Sequence, residues 1–222
     1  MRVHRVDYAQ NARRNMVFTQ LKANGVMDKL ILNVFEKIPR EHFIPIVALS
    51  IAYGDGPIYC DISGRYLFAP QILGLFLQHL NLMPDDKVLV IGGNYGYTAT
   101  VLFEMGCTAY IAESHPILVA KCREKLKKYN PTIHSGPLKM GLSKNGPYKA
   151  ILVEIGLNSV PECVIDQLEE GGRVAICITT GEEDSAKACV FEKKANGLHE
   201  VFTIDTNMPT CTEFNESESF TF

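Results

Sequence analysis

The chain has 222 residues, 46% of them hydrophobic and 21% charged, with 25 acids against 22 bases and a net charge of −3; this composition fits a globular chain and excludes a disordered one. For this length roughly 70% of the extended surface is buried on folding, enough for a core without disulfide or metal staples. The longest apolar stretch, 43–53, is broken by Pro45 and Ser50, the opening MRVHRVDYAQNARRNM has no apolar signal core, and no basic footprint is present, so a cytoplasmic protein with neither membrane nor nucleic-acid partners is expected.

Residues 8–50 read as helical, with Met16, Val17 and Leu21 at helical spacing and Gly25 as a stop. Asp28 is placed to cap a second helix, DKLILNVFEKI, that ends before Pro39. Its apolar positions Leu30, Ile31, Val34 and Phe35, with Met16 and Leu21, demand a partner surface, so the segment is expected to pack on the sheet or over its cleft. A turn-rich passage over 52–70 precedes an apolar helix over 70–82. From residue 85 strand and helix alternate: strand 87–91, a glycine-bearing turn, a helix from near Tyr95 to about Met105, strand 109–112 and helix 115–128. Strand 150–153, helix 161–169 and strand 173–178 continue the alternation, and strands 189–192 and 200–205 meet around Asn196-Gly197 as an antiparallel hairpin. This order implies an α/β fold with a mostly parallel sheet covered by helices on both faces. A single domain is expected, with 1–84 supplying N-terminal helices and a substrate-side loop and 85–222 the nucleotide-binding core.

The turn Gly92-Gly93-Asn94-Tyr95-Gly96-Tyr97 follows the first parallel strand, where backbone N–H groups at a helix start can meet a ligand. A dinucleotide fingerprint needs glycine at 94 and 97, where Asn and Tyr stand, so NAD is disfavoured. A GxGxG turn lacks only its middle glycine, and Asn94 is the substitute that enters the left-handed region most readily. Glu113, at the end of the next strand, is placed to accept hydrogen bonds from ribose hydroxyls. The plainer alternative is a tight turn with a solvated glutamate, and Glu154 reads either as a new polar group in the cleft or, more commonly, as an exposed strand-end acid. Seven scattered cysteines form no CxxC and six histidines no ligand spacing, so reduced thiols and no metal site are expected. The basic run Lys121, Arg123, Lys125, Lys127 and Lys128 reads as the wet face and end of a helix.

NMVFTQLKANGVMD, VFEKIPREHFIP, Ala52 to Pro57, VLVIGGNYGY and PYKAILVEIGLNSVPECVIDQLEEGGRVAI occur in order and register along nearly the whole chain. On these segments the chain resembles the protein-L-isoaspartate O-methyltransferase family, as a divergent bacterial-type member. The resemblance implies a class I S-adenosylmethionine-dependent methyltransferase (Rossmann-like) fold with a seven-stranded sheet. It also implies S-adenosylmethionine as methyl donor, and repair of damaged proteins or peptides by methylation of isoaspartyl carboxylates. It assigns donor binding to Gly92, Asn94, Gly96, Tyr97, Glu113, Pro137 and Leu138, and the loop over the acceptor to Arg65, Tyr66, Leu67, Phe68 and Pro70.

Departures from the family pattern fall at these places. Where the family reads Thr-Ile-Ser-x-Pro, this chain has Tyr66-Leu67-Phe68-Ala69-Pro70, so Phe68 takes the serine position, no catalytic residue is assigned, and the ring is expected to block the carboxylate pose. Val90 replaces an acid before the turn, and Gly136-Pro137-Leu138-Lys139-Met140-Gly141 stands for GDGxxG. These changes imply methyl transfer that is weakened or lost. Two alternatives stay open: a non-catalytic scaffold using Tyr66-Leu67-Phe68 as an apolar contact surface, or a methyltransferase with another acceptor. Nucleic-acid amines are disfavoured as that acceptor, because strand 150–153 runs into Glu154-Ile155-Gly156.

Overall fold

The computed structural model describes residues 2–60, 62, 64–180, 185–208 and 211. Helix α1 (Arg2–Met16) runs into a π-helical turn, Val17–Leu21, and a 3-10 turn, Lys22–Asn24, and stops at Gly25, whose φ of 91° is the left-handed conformation glycine adopts freely. The Asp28 carboxylate accepts from the N–H groups of Leu30 (2.7 Å) and Ile31 (3.1 Å), capping α2 (Lys29–Lys37). The expected helicity up to residue 50 breaks here into two 3-10 turns, Arg40–Phe43 and Ile46–Ile51, because Pro39 and Pro45 lack the N–H that an α-helix requires. Two short strands, β1 (Ile58–Tyr59) and β2 (Tyr66–Leu67), pair antiparallel inside the passage read as turns. Pro70 then occupies the first turn of α3 (Pro70–Leu80).

The α/β part comprises β3 (Lys87–Ile91), α4 (Tyr97–Glu104), β4 (Thr108–Glu113), α5 (Pro116–Leu126), β5 (Thr132–Ser135), β6 (Tyr148–Leu157), α6 (Glu162–Ile165), β7 (Leu168–Thr179), β8 (Ser185–Lys194) and β9 (Gly197–Asn207). They form a seven-stranded sheet of order β5-β4-β3-β6-β7-β8-β9, parallel from β5 to β7 and antiparallel through β8 and β9. The fold class is therefore the mostly parallel sheet with a C-terminal antiparallel pair. The helix expected over 161–169 shrinks to the four residues of α6, since Leu168 already pairs with Tyr148 as the first residue of β7. Strand β5 escaped the pattern because Thr132, His134 and Ser135 leave no apolar run at this sheet edge.

Period-2 alternation sorts β3 between two cores. Val88 and Val90 join Met16, Leu21, Ile31 and Phe35 in one apolar cluster, so the early helices cover that face. Leu89 and Ile91 join Ile151, Val153 and Leu138 on the other. Leu30, expected in the core, is 44% exposed, because it lies at the edge of the stripe set by Ile31, Val34 and Phe35. Lys37, Tyr129 and Lys128 converge on Glu104 at the end of α4 and hold its carboxyl down to about 2, tying three separate segments together. Among the described residues no helix is long and apolar enough to cross a membrane.

The cap on α2 gives a direct stability check. Asp28→Ala should lower the unfolding free energy by about 1 kcal/mol in urea titration, with an unchanged denaturant slope. No loss would mean that the cap is not made.

Candidate functional site

At the C-terminal end of β3 the backbone passes through three left-handed residues, Gly92 (φ 80°), Asn94 (φ 48°) and Gly96 (φ 86°), before entering α4. Asn94 thus takes the conformation required of a missing glycine. The helix starts at Tyr97, two residues later than expected, because the left-handed Gly96 cannot belong to it. Glu113 closes the neighbouring strand, and its Oε2 accepts from the Asn94 N–H at 3.0 Å. The turn and this acid therefore share one end of the sheet, the position at which doubly wound folds take ligands.

Glu113 is not solvated; it and Arg65 are both fully buried. Arg65 Nη2 donates to Glu113 Oε1 at 2.9 Å and to Ser114 Oγ at 2.7 Å. The same oxygen accepts from the His115 N–H at 3.0 Å and from Ser114 Oγ at 3.4 Å. A Cβ placed on Gly92 would lie 3.0 Å from Arg65 Nη1, so the guanidinium stands directly against the glycine face of the turn. The rest of the segment is anchored as well: the Tyr66 carbonyl accepts from Asn94 Nδ2 at 2.9 Å and the Phe68 carbonyl from Arg40 Nη2 at 2.5 Å. Tyr66, Leu67 and Phe68 are 0%, 1% and 0% exposed, so they form no contact surface for a partner. The Phe68 ring packs edge-on against Phe76 of α3 (5.3 Å) and beside Tyr66 (6.1 Å).

Two further ionisable residues, Glu154 and Arg40, are buried close to the turn. Glu154, read from the sequence as an exposed strand-end acid, is fully buried, since β6 continues past residue 153 to Leu157. It accepts from the Thr98 hydroxyl and, at 3.4 Å, from Asn94 Nδ2. Burial nevertheless dominates and pushes its carboxyl up to about 7, against the pull of those bonds and of Arg40. Arg40, also fully buried, lies 5.0 Å over the Tyr97 ring, and burial pulls its pKa below the ordinary arginine value.

Of the remaining sequence candidates, Pro137 and Leu138 follow β5 at the same sheet end, where the Gly136 N–H donates to the Glu113 carbonyl at 3.2 Å. Tyr97 turns its ring toward Phe35 and Phe43 of the early helices. Leu138 is buried in the cluster that contains Leu89 and Ile91, while Pro137 is exposed at the start of a 3-10 turn. Pro70 opens α3. Residues the sequence reading missed are Arg40 and Thr98, and the pairing of Arg65; the available signal was a charge followed by the apolar run Tyr66 to Ala69. Beside Ala69 a groove of about 480 Å³ is lined by Asp55, Pro57, Gln71, Ser185, Asp205 and Asn207.

Sheet order, turn and strand-end acid together define a class I methyltransferase fold. The sequence pattern of the family described as protein-L-isoaspartate(D-aspartate) O-methyltransferase matches residues 12–208. The protein-L-isoaspartate O-methyltransferase of Methylorubrum extorquens is 36% identical over 167 residues, 74% of this chain and 73% of its own. That of Gloeobacter violaceus is 30% identical over 206 residues, 91% of this chain and 100% of its own. A solved protein-L-isoaspartate O-methyltransferase superposes with a TM-score of 0.75 at 29% identity over 89% of this chain, which spans 65% of that structure's chain. A Plasmodium falciparum structure holding S-adenosyl-L-homocysteine shares the fold, with a TM-score of 0.71 at 21% identity, over 89% of this chain and 98% of its own. This chain belongs to the protein-L-isoaspartate O-methyltransferase family.

In the arrangement described, the Arg65 side chain competes with a donor: it holds Glu113 Oε1 and stands against the face of Gly92, while Oε2 accepts from the Asn94 N–H.

Glu154 supplies a pH test. Its folded pKa lies above the ordinary 4.5, so its contribution to stability is complete below pH 4.5 and is lost as pH rises through about 7. The wild type should lose about 3 kcal/mol across that window through this group, a slope that Glu154→Gln should flatten in urea titrations between pH 4.5 and 8. Parallel pH profiles would show that Glu154 is ionised throughout.

Proposed function

We propose that this chain carries its family's reaction, methyl transfer from S-adenosylmethionine to the free α-carboxylate that isoaspartyl residues leave beside the chain in damaged proteins. One observation carries the reading: the turn 92–96 faces Glu113 across adjacent strands of a chain that belongs to this family. The acceptor carboxylate has an ordinary pKa near 4 and is ionised at neutral pH. The site therefore needs no general base, and neither Glu113 nor Glu154 is assigned that role. Alignment of the reacting groups is what a protein must supply for such a transfer. The groove beside Ala69, which follows the segment over the turn, is the approach we assign to the peptide.

We also infer that 1–84 and 85–222 form one unit, a reading supported by the apolar cluster they share. A cytoplasmic setting is supported by the scattered cysteines, several of them buried thiols, with Cys122 pushed up to about 12 and Cys107 to about 11 by burial.

A specific observation favours a second reading, a methyltransferase fold that no longer catalyses: the Arg65–Glu113 pair closes the donor side. Labelled methyl donor at high concentration, offered with an isoaspartyl peptide and its aspartyl counterpart, separates the two. The family reaction predicts base-labile label in the isoaspartyl peptide alone. No label despite demonstrated donor binding would exclude that reaction.

A further inference from the structure

The donor side of the cleft already has an occupant drawn from the chain itself. Four protein groups donate to the two oxygens of Glu113, and one of them is a full positive charge. A neutral hydroxyl cannot displace a guanidinium from a carboxylate in a buried setting without an opening step, because a charged donor makes the stronger hydrogen bond. The guanidinium also covers the face of Gly92 that a bound molecule would have to approach.

The segment bearing Arg65 is held at both ends. Upstream, Cys60 N–H donates to the Arg65 carbonyl at 2.9 Å and Arg65 N–H to the Ile62 carbonyl at 3.1 Å. Gly64 sits so close to Cys211 that a Cβ on it would approach the Cys211 sulfur to 3.2 Å. Downstream, the Tyr66 and Phe68 carbonyls are gripped by Asn94 and Arg40. The backbone on either side of Arg65 is thus held, so the part of this segment that can clear the turn is the Arg65 side chain, at the cost of its bonds to Glu113 and Ser114.

We propose that Arg65 is an internal latch on the methyl-donor subsite: its guanidinium occupies the ribose-accepting carboxylate of Glu113, and donor binding requires that side chain to swing out. The proposal rests on the reading of the 92–96 turn and Glu113 as the donor site. The apparent affinity for a donor is then reduced by the fraction of molecules in the open state. Removing the charge at position 65 raises that fraction, so this chain is expected to bind donor poorly as it stands and well once the latch is gone.

The test is calorimetric titration with S-adenosylhomocysteine, the demethylated product, of the wild type, Arg65→Gln and Arg65→Met. The two substitutions remove the charge in different shapes, so that one well-folded variant suffices, with folding checked by circular dichroism and thermal melts. The latch predicts binding about 30-fold tighter, or more, in the variants. It also predicts a melting temperature that is lower than wild type without ligand and rises when ligand is added. Wild-type affinity within about threefold of a folded variant would overturn the latch and leave the donor site standing. Folded variants that bind nothing, like the wild type, would overturn the latch and the donor-site reading together.

Discussion

The site depends on one buried ion pair, Arg65 with Glu113, both without solvent exposure. Two charges in such a place lose their hydration, a penalty of several kcal/mol for each ion. At 2.9 Å their gross attraction is on the order of 6 kcal/mol for an effective dielectric near 20, which alone does not compensate. The remainder is met by backbone and hydroxyl donors: Asn94 N–H, His115 N–H and Ser114 Oγ all point at the same carboxylate. Such a pair is stable only while every partner is present. It therefore fixes the loop, the turn and the strand end relative to one another.

Two further ionisable groups, Arg40 and Glu154, are equally buried near the turn, Arg40 holding the Phe68 carbonyl and Glu154 accepting from Thr98 and Asn94. Asn94 links the two acids, donating from its backbone to Glu113 and from its side chain to the Tyr66 carbonyl and Glu154. The residue that replaced the family's middle glycine thus does more than tolerate a left-handed conformation. Its amide stitches the 65–68 segment to the sheet, which a glycine could not do. The changes at 66, 68 and 94 in the family pattern thus meet in one place, where the Tyr66 and Phe68 carbonyls and Asn94 are bonded into the same buried network.

The sheet was legible because buried parallel strands such as 87–91 and 150–153 are short apolar runs, and because Asp28, Gly25 and Pro70 carry local instructions that packing does not override. Strand β5 was not, since an edge strand of Thr, His and Ser has no periodic signal, and neither was the short extent of α6. The left-handed turn and its nearness to Glu113 were legible from spacing. The Arg65 pairing was not: nothing local distinguishes an arginine that meets solvent from one that meets an acid 48 residues away. The exposed reading of Glu154 failed for the same reason, because burial at a strand end is decided by what covers it.

The buried Arg65–Glu113 pair is the feature that links the altered loop to the turn in this family member, and the proposed latch rests on it. The most direct measurement is a double-mutant cycle on unfolding free energy with Arg65→Met, Glu113→Gln and both together. A buried, mutually dependent pair predicts a coupling of about 2 kcal/mol or more. A coupling below about 0.5 kcal/mol would mean that the two charges do not hold each other, and would contradict the account.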